Sequence, residues 1–251
     1  MGFTIALAGK GGTGKTTLAA LTIRYLLNKG KKPILAVDAD ANENLGEALG
    51  IKVDTTIGEI IDETMHRIDD LPGGMGKDAY IEYRLNAAVA EGSDVDLLVM
   101  GRPEGPGCYC YANNILRGHL GNKNKGYPYV VMDNEAGLEH LSRRTTNNVD
   151  LFLVVSDSSV RGLKAAKRVR ELIDEVGLHV KQRFLVVTKV TAPLEGPFAD
   201  AALDTGLELA GTVPFDPLVG EFDLYDKPLV GLPEEAPVVR ATFGILERVL
   251  G

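Results

Sequence analysis

Gly9-Lys10-Gly11-Gly12-Thr13-Gly14-Lys15-Thr16 is the stretch of the chain whose residue types and spacing point most directly to chemistry. It fits the pattern G-x-x-x-x-G-K-[ST], expected by chance in roughly one chain of this size per hundred. An apolar run at 4–8 precedes it and a segment of helical periodicity follows. In that setting glycines let backbone N–H groups close around a phosphate, and the first helical turn adds its unpaired N–H groups. Lys15 would then neutralise β- and γ-phosphates, and the Thr16 hydroxyl would ligate Mg²⁺. A bare glycine turn needs neither side chain, so the segment reads as a phosphate site.

Acidic residues stand at two further places of interest. Ala36-Val37-Asp38-Ala39-Asp40 closes the second apolar run, and Val130-Val131-Met132-Asp133 closes a later one. In a parallel sheet all such carboxyl ends share one edge, the edge that carries the glycine loop, so Asp38, Asp40 and Asp133 would face the phosphates and their metal. Turn formation or helix capping is the alternative role for each. A carboxylate beside triphosphate and Mg²⁺ stays ionised, which favours positioning a water over strong-base chemistry.

The chain has two cysteines, Cys108 and Cys110, in Gly105-Pro106-Gly107-Cys108-Tyr109-Cys110. In extended backbone residues i and i+2 point the same way, so the two sulfurs can share a metal ion, whereas a disulfide between them would be strained. The preceding glycines and proline give the thiols little cover, and a following helix N-terminus at 112–120 would favour the thiolate. Two sulfurs leave a tetrahedral ion half-coordinated; two copies about a two-fold axis supply four. Thiolate sulfur suits tetrahedral Zn²⁺ and square-planar Ni²⁺ alike. Small buried hydrophobes or an oxidation-sensing pair are the alternatives. His119 and His140 read as surface or core residues and are left out of the site.

These groups need a frame that brings them together. Short β-branched or apolar runs recur at 4–8, 33–37, 96–100, 129–132, 151–155 and 184–188, most of them separated by helical periodicity at 16–29, 56–68, 78–90 and 160–176. The last of these helices carries apolar residues at Leu163, Ala166, Val169, Leu172, Ile173 and Val176. A break at 71–76, LPGGMG, reads as a loop; Pro-rich stretches at 211–218 and 232–237 read as turns, and 238–250 as a closing helix. Alternating β and α predicts one α/β domain over residues 1–251, a mostly parallel twisted sheet with helices on both faces.

Composition agrees: 45% hydrophobic and 25% charged residues over 251 positions are globular values. A formal charge of −8 disfavours nucleic acid as a partner. No apolar run approaches the ~20 residues of a membrane span, and the tail 239–251, with Arg240, Arg248 and Glu247, is poorly suited to an anionic membrane surface. Lys123 and Lys125 form only a small basic loop. With no basic leader, the expected location is cytoplasmic.

Lys10 gives the loop a more particular likeness. Lys-Gly-Gly-Thr-Gly-Lys-Thr resembles the deviant Walker A motif of the nitrogenase iron protein and MinD/ParA ATPases, a branch of the P-loop NTPases. The resemblance implies a Mg²⁺-dependent ATPase, converting ATP to ADP and phosphate as a homodimer, with Lys10 reaching the partner's nucleotide. Lys10, Lys15 and Asp40 form the implied catalytic set, Asp40 orienting or deprotonating the attacking water. Nucleotide contacts are implied for Gly11, Gly12, Thr13, Gly14, Thr16 and Thr17. Asp133 resembles the Walker B acid and Asp38 its companion, each holding a Mg²⁺-bound water.

Asn134-Glu135-Ala136-Gly137-Leu138-Glu139 resembles the family's second switch, with Gly137 sensing the γ-phosphate. Leu185-Val186-Val187-Thr188-Lys189 and Val213-Pro214-Phe215 resemble its base-binding strand end and loop, implying base contacts from Thr188, Lys189 and Pro214. Two departures stand out: Ala41 replaces a common proline, and Thr188 a common asparagine. The Cys-x-Cys pair resembles the CooC group, ATPases that assist nickel insertion into carbon monoxide dehydrogenase. That likeness implies Ni²⁺ or Zn²⁺ held between subunits by Cys108 and Cys110, with carbon monoxide dehydrogenase as client. A MinD/ParA-type positioning ATPase and an iron–sulfur carrier or reductase of the same fold are the rival readings.

Overall fold

Strands form at the six short apolar runs and at one further segment, and the computed structural model, which describes residues 2–40, 42–66, 74–102, 126–134 and 148–251, joins the seven in one sheet. They are β1 (Phe3–Ala8), β2 (Ile34–Ala39), β3 (Val95–Val99), β4 (Tyr129–Asn134), β5 (Asn148–Asp157), β6 (His179–Val190) and β7 (Glu208–Pro214). Their order is β3-β2-β4-β1-β5-β6-β7, and every neighbouring pair is parallel. The strands therefore all end on the same edge. From β1 the chain builds outward first toward β3 and later toward β7, so the loop after β1 opens at the reversal of strand order, where open α/β sheets bind ligands.

The described residues include eight α-helices, on both faces of the sheet: α1 (Lys15–Asn28), α2 (Asn44–Leu49), α3 (Ile57–His66), α4 (Lys77–Ala88), α5 (Val160–Glu175), α6 (Pro197–Asp204), α7 (Pro217–Leu224) and α8 (Pro237–Leu250). The period of two along β1 splits the core. Ile5 and Leu7 join Leu18, Leu21 and Leu26 of α1 and Val239, Leu246 and Val249 of α8 in one layer. Ala6 and Ala8 join Ile57, Ile60 and Ile61 of α3 and Leu163, Ala166, Val169 and Ile173 of α5 in the other. Leu172 and Val176, counted on the same helix face from the sequence, are only partly buried. Ser159 caps α5 by accepting the Gly162 N–H at 3.0 Å. Among the described residues no helix is long and apolar enough to cross a membrane.

One expectation needs correction. The stretch 211–218 is not a run of turns: its first part ends β7, which pairs with β6, and its last part opens α7. β7 is an edge strand that buries only Ala210 and Val213, so its apolar signal is thin. Its two apparent breakers have local reasons. Pro214 closes an edge strand, where a missing N–H costs no central ladder bond. Gly211 lies under α8, where an added Cβ would sit 2.7 Å from Ile245 Cγ1. α2, α6 and α7, none longer than eight residues, are also absent from the sequence reading.

Gly211→Val is accordingly expected to destabilise the chain by about 1–3 kcal/mol through overpacking against α8, and adding Ile245→Ala should recover part of that loss. Urea unfolding of the single and double variants measures both, and additive effects would refute the contact.

Candidate nucleotide site

The glycine loop has its shape dictated from below. A side chain at Gly9 would place Cβ 2.0 Å from the Val155 carbonyl oxygen of β5, so only glycine lets the chain pass there. Gly12 and Gly14 both take the left-handed conformation at φ +79°, which glycine tolerates without steric penalty. The Lys10 carbonyl gathers the loop inward. It accepts the Thr13 Oγ1 hydroxyl at 2.8 Å, the Thr13 N–H at 3.3 Å and the Lys15 Nζ at 3.5 Å. Lys15 is only 5% exposed, whereas the Lys10 side chain is exposed. α1 starts at Lys15, so its unpaired first-turn N–H groups point into the same concavity as the ammonium.

Parallel register brings the acids to this loop. β1 pairs Leu7 with Asp133 and β2 pairs Asp38 with Asp133, which places both acids at the edge where β1 gives way to the loop. Thr16 donates its hydroxyl to Asp133 Oδ2 at 2.6 Å, while Asp133 Oδ1 is buried without a hydrogen-bond partner. Burial pushes the Asp133 carboxyl up to about 6; the Thr16 hydroxyl and Lys15 charge pull it back, and Asp40 raises it further. An orphaned carboxylate oxygen beside a hydroxyl is a hard oxygen pair. It fits Mg²⁺, which takes one or two protein oxygens and fills its remaining positions with phosphate oxygens and water.

Asp38 is differently employed. Its Oδ1 accepts the Asp40 N–H at 3.0 Å and its Oδ2 the Leu45 N–H at 2.8 Å. Burial lifts its carboxyl to about 7, with the Leu45 N–H opposing and the Asp133 charge adding. Asp40 Oδ1 in turn accepts the backbone N–H and the side-chain amide of Asn42, at 3.0 and 2.9 Å. Both acids thus carry turn-forming contacts, the alternative weighed for them from sequence, while remaining on the edge shared with Asp133.

A cavity of about 320 Å³ adjoins the loop and brings together Gly14, Thr17, Thr188, Lys189, Pro214 and Phe215, among others. This is the volume class of small-ligand pockets. Phe215 stands at its rim, 57% exposed. The polar ends of Thr188 and Lys189 turn to the loop: Thr188 Oγ1 lies 2.6 Å from the Thr13 carbonyl oxygen and Lys189 Nζ 2.8 Å from that of Gly12.

Asp216 is a wall residue that sequence reasoning missed. It caps α7 through the Leu218 N–H at 3.1 Å and reaches the Val238 N–H at the start of α8 at 3.2 Å. The signal was present as Asp216-Pro217, an N-cap acid followed by proline at the first helical position.

Gly137, Cys108 and Cys110 lie outside the described residues, as do Ala41, His119, His140, Lys123, Lys125 and the 112–120 stretch. Among the described residues no group of three or more His, Cys, Asp or Glu side chains is placed to hold a metal ion.

Both raised carboxyls shape the pH dependence of folding. An acid whose folded value lies above its ordinary 3.8 takes up protons on folding, so its contribution to stability falls as pH rises from about 4 to about 7. Asp133→Asn removes one such acid. Its melting temperature without nucleotide or Mg²⁺ should exceed that of the unsubstituted chain by on the order of 5 °C at pH 8, a gap closing toward pH 4. Thermal melts at pH 4, 6 and 8 measure this; a gap of constant size would refute the assignment.

Residues 4–229 match the CobQ/CobB/MinD/ParA nucleotide binding domain family. The chain is 44% identical over 248 residues to an uncharacterized ATP-binding protein of Methanocaldococcus jannaschii, covering 98% of each. It is 28% identical over 232 residues to the carbon monoxide dehydrogenase accessory protein CooC of Rhodospirillum rubrum, covering 87% of this chain and 86% of that one. Among solved structures, the cell division ATPase MinD of Pyrococcus furiosus has a TM-score of 0.74 at 21% identity, covering 100% of this chain and 99% of that one. A ParA family ATPase from Chlorobium tepidum has the same TM-score at 16% identity, again over 100% of this chain and 99% of that one. These two likenesses speak to the fold. With a family match across most of its length and a relative of 44% identity, the chain belongs to the MinD/ParA-type P-loop ATPases of the CobQ/CobB/MinD/ParA nucleotide binding domain family.

Proposed function

We propose that this chain is an ATP-hydrolysing maturation factor that acts as a cytoplasmic homodimer, one P-loop domain per subunit, and assists nickel insertion into carbon monoxide dehydrogenase. The observation that carries the ATPase part is the Thr16–Asp133 contact with Lys15 enclosed by the same loop. The loop N–H groups and Lys15 would hold the β- and γ-phosphates, Thr16 would ligate Mg²⁺, and Asp133 would hold one of its bound waters. When bound, Mg²⁺ neutralises the charge on the β- and γ-oxygens. Asp40 orients a water whose oxygen bonds to the γ-phosphorus as the bond to the ADP oxygen breaks, giving ADP and phosphate. Lys10, exposed in the single chain, reaches the nucleotide of the second subunit.

The likeness to CooC over 87% of the chain and the Cys108-Tyr109-Cys110 sequence support the metal part. The paired cysteines of two subunits hold one Ni²⁺ as cargo, or Zn²⁺ in its place, and the switches that relax after hydrolysis alter the spacing between those subunits. Asp38 supports such coupling, since it ties the backbone of residues 40 and 45 to the edge where Asp133 lies.

Lys15→Ala should lower ATP turnover by about 100-fold or more, measured as phosphate release; full turnover would refute the phosphate-loop assignment. In the same assay Asp40→Ala should bind ATP within a few-fold of the unsubstituted chain yet hydrolyse it about 100-fold more slowly, and lost binding would confine Asp40 to its turn with Asn42. Replacing Cys108 and Cys110 together by Ser should abolish stoichiometric Ni²⁺ and Zn²⁺ uptake, at one ion per dimer before substitution. Unchanged metal titrations would exclude the shared thiolate site.

A further inference from the structure

We propose that Thr188 and Lys189 are positioning residues that hold the phosphate loop in its binding shape, in place of the base contacts that family resemblance implies for them. The inference rests on the phosphate-loop reading above. Its starting point is that the loop has little packing of its own: a Cβ added at Gly11, Gly12 or Gly14 would meet nothing within 4 Å. Such a segment keeps one shape only if something grips its backbone, because glycine has more conformational freedom to lose than any other residue.

The end of β6 supplies that grip at two consecutive peptides. Thr188 Oγ1 lies 2.6 Å from the Thr13 carbonyl oxygen and 3.1 Å from that of Ser156, so the hydroxyl joins loop, β5 and β6 at one buried point, 4% exposed. Lys189 Nζ donates to the Gly12 carbonyl at 2.8 Å. A trans peptide points its C=O and the following N–H in opposite directions. Fixing the Thr13 carbonyl toward β6 therefore turns the Gly14 N–H away from β6, while the Thr13 N–H is already taken by the Lys10 carbonyl. The Gly14 N–H is then a group that a phosphate would use.

The backbone at Lys189 is adapted to this task. Lys189 adopts φ +54°, a conformation uncommon for residues with a Cβ, inside an interruption of the β6–β7 register between Val187 and Val190. Irregularities of this kind re-aim a side chain, and here the amine crosses to the loop while Ser158 Oγ holds the Lys189 carbonyl at 3.0 Å. With both polar ends engaged, what these residues leave for the adjoining cavity is hydrocarbon, which supports a base by contact and does not identify it.

The test compares two probes, ATP and inorganic tripolyphosphate, each titrated calorimetrically with Mg²⁺ into the full chain. Loss of the grip should weaken both by the same factor, about five- to tenfold, in Thr188→Val and in Lys189→Met, and Thr188→Ser should restore both. Lys189→Met changes an exposed side chain and keeps its stem, so it reports even if Thr188→Val folds poorly. Weakened ATP binding with unchanged tripolyphosphate binding would overturn the proposal in favour of direct base contact, and so would no change in either. If the unsubstituted chain failed to bind tripolyphosphate, the phosphate-loop reading itself would fall, and this role with it.

Discussion

Two carboxylates held side by side out of water, Asp38 and Asp133, impose the constraint around which the site is arranged. Burying an ionised group is costly unless hydrogen bonds or counter-charge compensate. Asp38 meets the cost within the protein by accepting two backbone N–H groups of the following turn. Asp133 meets it by half, with Thr16 on one oxygen and nothing on the other. Across from this pair stand the Lys15 ammonium and the helix N-terminus, positive groups enclosed by a loop that carries no charge to match them. A magnesium–phosphate unit placed between the two sets would satisfy both, since its cation meets the orphaned carboxylate and its anion the N–H groups. The burial that makes these carboxylates costly and the affinity proposed for a magnesium–phosphate unit come from the same arrangement.

The fold makes that arrangement rigid. The central strands β1, β2 and β4 are covered by an apolar layer on each face, so neither acid can swing toward solvent without breaking close packing. Because every strand runs the same way, their ends lie in register along one edge, and neighbours separated by almost a hundred residues in sequence become adjacent pairs. The cavity is built on the other side of β1, where β6 and β7 end and where Asp216 joins the starts of α7 and α8. Among the described residues, the loop after β1 and the first turn of α1 border both the acid pair and the cavity.

Much of the frame was legible in the residues. Six strands, α1, α5 and α8 announce themselves because apolar runs and helical periodicity coincide with glycines or caps at their ends, as at Gly30 and Ser159. β7 did not, because an edge strand buries one thin face, and its Gly211 and Pro214 resemble breakers when the helix packed over them is unseen. α2, α6 and α7 are too short for periodicity to rise above chance. The glycine loop and its lysine were legible because the chemistry demands a contiguous spacing.

The amino-acid order by itself determined the alternation of strands and helices, the phosphate-loop motif and the acids at strand ends, since all of these depend on neighbours in sequence. Only the tertiary structure decided that Asp38 binds its own turn while Asp133 keeps a free oxygen. It also decided that Thr188 and Lys189 address the loop across 175 and 177 residues of separation. The physical reason is that a hydrogen bond depends on distance and direction in space, and spacing along the chain constrains those only over a few residues. Where a polar side chain must choose among partners, the choice is made by the sheet register and by the packing that holds it.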